Sequence, residues 1–180
     1  PGSRPAVAAG EVWRLWTGHL VHFGLGHALG DTAALLALGW VVQQQAGERA
    51  VWLAGGVGAP LVSVLLMVLV PDIQEYRGAS AVGTGLGVLA GAALWRSAPR
   101  WRWVLASLAL VATVKTLIDV GVMGVMGVIG VMGLPGASGL PDGVAVAWQA
   151  HLLAAGLAAG LVAFSASRRA PPAVRASTRL

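Results

Sequence analysis

Apolar positions in this chain come in long runs rather than in alternation. Residues 50–70, 78–95 and 143–167 contain no charged side chain. Each run holds about 18 to 25 residues. At about 1.5 Å per residue a helix of that length covers ~27–37 Å, enough for the ~30 Å hydrocarbon core of a bilayer. No stretch alternates with the two-residue period of a strand, which argues against a membrane barrel. The pattern predicts an all-α polytopic membrane protein with five visible spans, at about 24–43, 50–70, 79–95, 103–120 and 144–166. Residues 1–167 form the membrane domain on this reading, and 168–180 a basic cytoplasmic tail.

Composition agrees with the pattern. Hydrophobic residues make up 57% of the 180 and charged residues only 11%, where a soluble domain has about 25% charged. The pI near 11.4 would suggest nucleic acid for a soluble protein. Here the basic residues are better read as topology signals, and no nucleic-acid partner is expected. Arg49, Arg96, Arg100, Arg102, Arg168, Arg169, Arg175 and Arg179 fall on one side of the predicted spans. Arg4, Arg14 and Arg77 fall on the other, together with Glu11, Asp72, Glu75 and Asp142. The positive-inside rule puts the eight arginines in the cytoplasm. The segment before Phe23, the loop holding Arg77 and the loop before Asp142 then face outward, as in a bacterial-type inner membrane. The absence of cysteine excludes disulfides and thiol chemistry.

One segment departs from the pattern. Gly121 to Gly133 read GVMGVMGVIGVMG. Glycine at every third position costs a helix about 0.8–1 kcal/mol each relative to alanine. A sixth crossing here would also put the arginine-rich tail outside. The segment is therefore expected within a Gly-rich outer loop over 121–142. Seven tryptophans (Trp13, Trp16, Trp40, Trp52, Trp95, Trp101 and Trp103) fall near predicted interfaces, as belt residues do.

Polar groups within lipid are costly and usually face a partner or a cavity. The candidates are His19, His22, His27, Asp31, Ser80, Thr84, Lys115, Asp119 and His151. His27 and Asp31 lie at the outer end of the first span and share a helix face at i, i+4. Ser80 opens the third span. His151 lies about two turns into the last span from its outer end. Topology thus brings a serine, two histidines and a carboxylate to similar depth. Serine becomes a nucleophile when a base takes its proton, and imidazole titrates in the right range. A serine at a helix start also sits beside backbone N–H groups that can stabilise an oxyanion. On the residues alone, Ser80 reads more readily as a small packing position like Gly83, Gly85, Gly87 and Gly91, with catalysis as the sharper alternative. Lys115 and Asp119, again i, i+4, read as a structural ion pair.

Three stretches, GEVWRLWTGHLVHFGLGHALGDTAALLALG, YRGASAV and AWQAHLLAAGLAAGL, resemble in that order the rhomboid family of intramembrane serine proteases. The wording is most similar to the rhombosortase branch. The resemblance runs from about Gly10 to Val162 and implies a rhomboid-like helical bundle. It implies a serine–histidine dyad with no metal and no cofactor, with Ser80 as nucleophile and His151 as general base. Gly78 opens the family's GxS motif. His27 and Asp31 match its oxyanion-side pair on the second helix of a six-helix core. A further span is therefore expected before Pro1. His22 matches a histidine of the preceding loop with a supporting part, and Trp13–Arg14 the tryptophan–arginine pair of the first outer loop. Four positions depart from the family pattern. Asp31 replaces asparagine, and an ionised carboxylate would oppose an oxyanion. Ala81 and Ala154 replace glycines, leaving Gly156 and Gly160 as an alternative packing face. Thr84 replaces a larger residue.

The resemblance implies an intramembrane endopeptidase whose partners are the lipid bilayer and membrane-anchored protein substrates, cut near the outer face. Rhombosortase-like substrates carry a C-terminal glycine-rich motif, a hydrophobic span and a basic tail. The alternative is a catalytically weak or inactive rhomboid-like protein that binds membrane helices. Haem ligation by His27 and His151 is a third reading, weakened by their position in one half of the bilayer.

Overall fold

The computed structural model describes residues 1–22, 24–71, 73–114, 117 and 148–167. The glycine repeat, Asp119 and the basic tail lie outside the described residues, and so does the side chain of Lys115. The chain opens with a two-residue strand β1 (Gly2–Ser3) and short helices α1 (Arg4–Ala8) and α2 (Arg14–Thr17), followed by a 3₁₀ turn over Gly18–Leu20. Long helix α3 (Leu25–Ala46) follows. It stops at Gly47, whose φ of +85° reverses the chain within one residue. A side chain at that φ would be strained.

Helix α4 (Glu48–Leu53) passes through a π-turn over Ala54–Gly58 into α5 (Ala59–Leu69). Pro60 has no N–H to give the Gly56 carbonyl four residues back. The Trp16 indole N–H donates to that carbonyl instead, at 2.9 Å. Strand β2 (Glu75–Tyr76) pairs antiparallel with β1 and leads into α6 (Ser80–Ser97). Helical backbone α7 resumes over 102–114, and α8 spans Trp148–Ser167.

The expected spans at 24–43, 50–70 and 144–166 correspond to helices long and apolar enough to cross a membrane: Leu25–Ala46, Glu48–Leu69 and Trp148–Ala166. The expected span at 79–95 corresponds to α6. It is less apolar, and its position gives the reason. No residue from Ser80 to Leu94 is exposed, because α6 lies between α3 and α8. Leu86 and Ala90 pack on Val42 of α3, and Ala81 on Ala150 and Ala154 of α8. Small residues let the backbones approach. A Cβ at Gly85 would meet Ala154, and one at Gly87 would meet Leu38. In lipid such close van der Waals contact, rather than expulsion of water, drives helix association.

The sequence expectation for α8 needs one correction. Its packing face is Ala150, Ala154 and Ala158, at i, i+4, i+8. Gly156 and Gly160 are exposed and meet no neighbouring atoms within 4 Å. The 100° step per residue turns that pair away from α6 once Ala154 faces it. All seven belt tryptophans are exposed, with Trp103 most so.

Candidate active site

The N-terminal segment 1–22 packs over the ends of α5 and β2. Arg4 donates from its backbone N–H to Gln74 O at 2.9 Å and from its guanidinium to Val70 O at 3.2 Å. Arg14 pairs with Glu11 at 2.7 Å and donates to Pro1 O, while Trp13 is exposed. Beneath this cover lies a polar cluster that the sequence reading missed as a unit. Ser63, 0% exposed on α5, donates to Leu15 O at 2.8 Å and lies 3.0 Å from His19 Nε2. Its hydroxyl is also hydrogen-bonded to Tyr76 Oη. His19, 3% exposed, reaches Ala59 O at 3.0 Å through the same Nε2. Burial lowers the His19 pKa, opposed by the carbonyls of Ala59 and Gly78. Burial raises that of Tyr76, opposed by its bond to Ser63. Desolvation disfavours the charged form in both cases. The signal for this cluster was a lone hydroxyl in an uncharged span and the chain's single tyrosine.

The turn after Tyr76 sets up the start of α6. Gly78 has φ +106°, in the region open to glycine. A Cβ there would also lie 3.3 Å from His27 Cε1. The backbone N–H of buried Ala79 donates to Asp31 Oδ2 on α3 at 2.9 Å. The same oxygen lies 3.1 Å from His22 Nε2 and 3.5 Å from His27 Nε2. His22 Nδ1 faces Leu20 O at 3.1 Å. Asp31 is 12% exposed in its side chain and His27 39%. The carboxylate oxygen is thus occupied as an acceptor behind the turn, and the imidazole of His27 is the more accessible of the two.

Ser80 is the first residue of α6 and is half-buried. The first backbone bond into the helix is Gly83 N–H to Ala79 O. The amides of residues 80–82 precede it and have no acceptor within the helix. Thr84 donates back to Ser80 O at 2.9 Å, which ties the first turn together. From α8, His151 Nε2 approaches Ser80 Oγ at 2.8 Å. The residues that the resemblance assigned to the site therefore fall into one locality, whereas His19 belongs to the Ser63 cluster. Ser80 and His151 are in contact. His22, His27, Asp31 and Gly78 stand behind the turn that delivers Ser80. Among the described residues, no group of three or more His, Cys, Asp or Glu side chains is placed to hold a metal ion.

An apolar cavity of about 310 Å³ continues below this site. Ala81 and Gly85 of α6, Ala154 and Leu157 of α8, and Leu53 and Val62 across from them are among its walls.

The model of the Rhomboid domain family matches residues 9–168. The Rhomboid protease GluP of Bacillus subtilis (strain 168) is 28% identical over 118 residues, covering 64% of this chain and 22% of that protein. The chain thus spans less than a quarter of the length of that relative. No solved structure matches it.

Proposed function

Because the chain belongs to the rhomboid family of multi-pass membrane proteins, we propose that it is an intramembrane serine endopeptidase working through Ser80 and His151. The observation that carries the proposal is the 2.8 Å contact between Ser80 Oγ and His151 Nε2 at the open start of α6. His151 Nε2 removes the hydroxyl proton as Ser80 Oγ bonds to the scissile carbonyl carbon. The carbonyl oxygen takes the negative charge. The Ser80 amide and the His27 ring are the proposed donors to it, aided by the positive end of the α6 dipole. The intermediate collapses, the C–N bond breaks, and the imidazolium returns its proton to the leaving amine. Water then attacks the acyl-enzyme with His151 again as base, which frees the carboxylate product and restores Ser80. These steps use only groups of the chain, water and the substrate.

Substrates on this reading are membrane-anchored proteins, cut where their helix unwinds near the outer face of the membrane. The rhombosortase-like wording around Trp13, Arg77 and His151 narrows them to proteins with a C-terminal glycine-rich motif, one hydrophobic span and a basic tail. Co-expression of such a protein with wild type and Ser80→Ala tests the specificity, and equal processing in both removes it. The activity itself is tested by a fluorophosphonate probe on detergent-solubilised protein. Labelling of wild type that is lost in Ser80→Ala and strongly slowed in His151→Ala is expected. A folded wild type that takes no label overturns the reading.

A further inference from the structure

We propose that Asp31 is a positioning residue for Ser80, acting as a hydrogen-bond acceptor for the Ala79 amide rather than as a donor to the oxyanion. The inference rests on the protease reading above for its catalytic consequence, but the contact itself does not. Ala79 is the N-cap of α6, with φ −86° and ψ −1°, and has no side chain that could cap the helix. In a capping box the N-cap amide is taken by a Glu or Gln three residues on, and that position here is Val82. Here the acceptor comes from a different helix. Asp31 Oδ2 takes the Ala79 N–H at 2.9 Å from 48 residues away in sequence.

Two imidazoles also crowd that oxygen. His22 Nε2 lies 3.1 Å from it and His27 Nε2 3.5 Å. The Leu20 carbonyl faces His22 Nδ1 and can only accept, so Nδ1 carries a proton. The chain of contacts runs from Leu20 O through His22 and Asp31 to the Ala79 amide, one residue before the nucleophile. Gly78 completes the seat. Its left-handed backbone turns the chain against His27, and a Cβ would lie 3.6 Å from Asp31 Oδ2. Between Gly78 and Ser80 the main chain is therefore pinned to α3, while the Ser80 hydroxyl points to α8. Loss of the pin lets the turn shift, and a displacement of about 1 Å costs on the order of 10²-fold in rate.

The conservative variant separates positioning from oxyanion donation. In Asp31→Asn the amide oxygen still accepts from Ala79. His22 Nε2 faces that same oxygen position. Asp31→Leu keeps side-chain bulk but has no acceptor. The first test is the fluorophosphonate labelling rate of both variants. Wild-type-like labelling in Asp31→Asn and a fall of about 10²-fold in folded Asp31→Leu are expected. Labelling unchanged in Asp31→Leu overturns the proposal. So does labelling well above wild type in Asp31→Asn, the result expected if residue 31 donated to the oxyanion. The second test is amide exchange at Ala79, read by NMR on full-length Ser80→Ala protein, where no chemistry occurs. Protection of that amide with Asp31 present, lost on adding Asp31→Leu, is expected. An Ala79 amide that exchanges as fast as an unprotected loop amide with Asp31 intact overturns the proposal, even where the leucine variant does not fold. If folded wild type takes no label, the protease reading fails, and exchange still decides the pin.

Discussion

Ser63 with His19 and Ser80 with His151 make hydroxyl–imidazole contacts of nearly equal length, 3.0 Å and 2.8 Å. Distance does not distinguish them, but their surroundings do. Ser63 sits within α5, where backbone amides are committed to the helix, and is fully enclosed. Its hydroxyl already bonds to Leu15 O and Tyr76 Oη. Ser80 sits at a helix start, half-buried, beside amides with no helical acceptor. A carbonyl substrate can approach the second serine and find donors for its oxygen. Nothing can approach the first. A serine–histidine contact is thus a fastening in one place and a candidate for chemistry in the other, and access with spare N–H groups makes the difference.

The largest expected effect that would sharpen this contrast is at Ser80. Ser80→Ala should abolish fluorophosphonate labelling, because among the described residues Ser80 is the hydroxyl that His151 Nε2 meets. Retained labelling would break the contrast at once. His151→Ala should slow labelling by about 10²–10⁴-fold, the usual worth of a general base, with an unchanged melting curve as the control for folding. Ser63→Ala should do the opposite. It leaves buried partners unsatisfied and should destabilise the fold by about 1–3 kcal/mol, while Ser80 in the folded fraction still labels. Tyr76→Phe should cost less, about 1 kcal/mol, since only one hydroxyl is lost. Reversible unfolding in mixed micelles would measure both.

The smallest effect concerns pH. Burial holds the His19 pKa below its ordinary value of about 6.5. The unfolded chain then binds more protons than the folded one once pH drops below that value. The contribution to stability is fully present above about pH 6.5 and is lost as pH falls toward the folded pKa, at no more than about 1.4 kcal/mol per pH unit. His19→Gln should flatten the stability profile between about pH 7.5 and 5.5. An unaltered profile would mean that His19 is not held neutral by burial.

Three of the five predicted spans match helices long and apolar enough to cross a membrane, because their signal is local. A run of about 20 apolar residues needs a helix in lipid whatever its neighbours are, and α3, α4–α5 and α8 follow from it. The α6 helix was legible too, although its small residues look out of place until α3 and α8 are set on either side. The contact of Ser80 with His151 was anticipated from their similar depth in the predicted spans and from family resemblance. Ser63 was not singled out, because one hydroxyl in an apolar run carries no trace of a partner 44 residues away.

By itself the sequence determined a helical membrane protein, three of whose predicted spans match helices long and apolar enough to cross a membrane, and a short roster of polar groups. Those properties depend on hydropathy and helical period, which neighbouring residues along the chain express. Tertiary structure alone decided which small residues of α8 meet α6, Ala150 and Ala154 rather than Gly156 and Gly160. It alone decided that Asp31 accepts from Ala79, and which of two serine–histidine contacts stands open. Each of those depends on how helices distant in sequence are rotated about their axes, and the energy that sets the rotation lies in contacts between them.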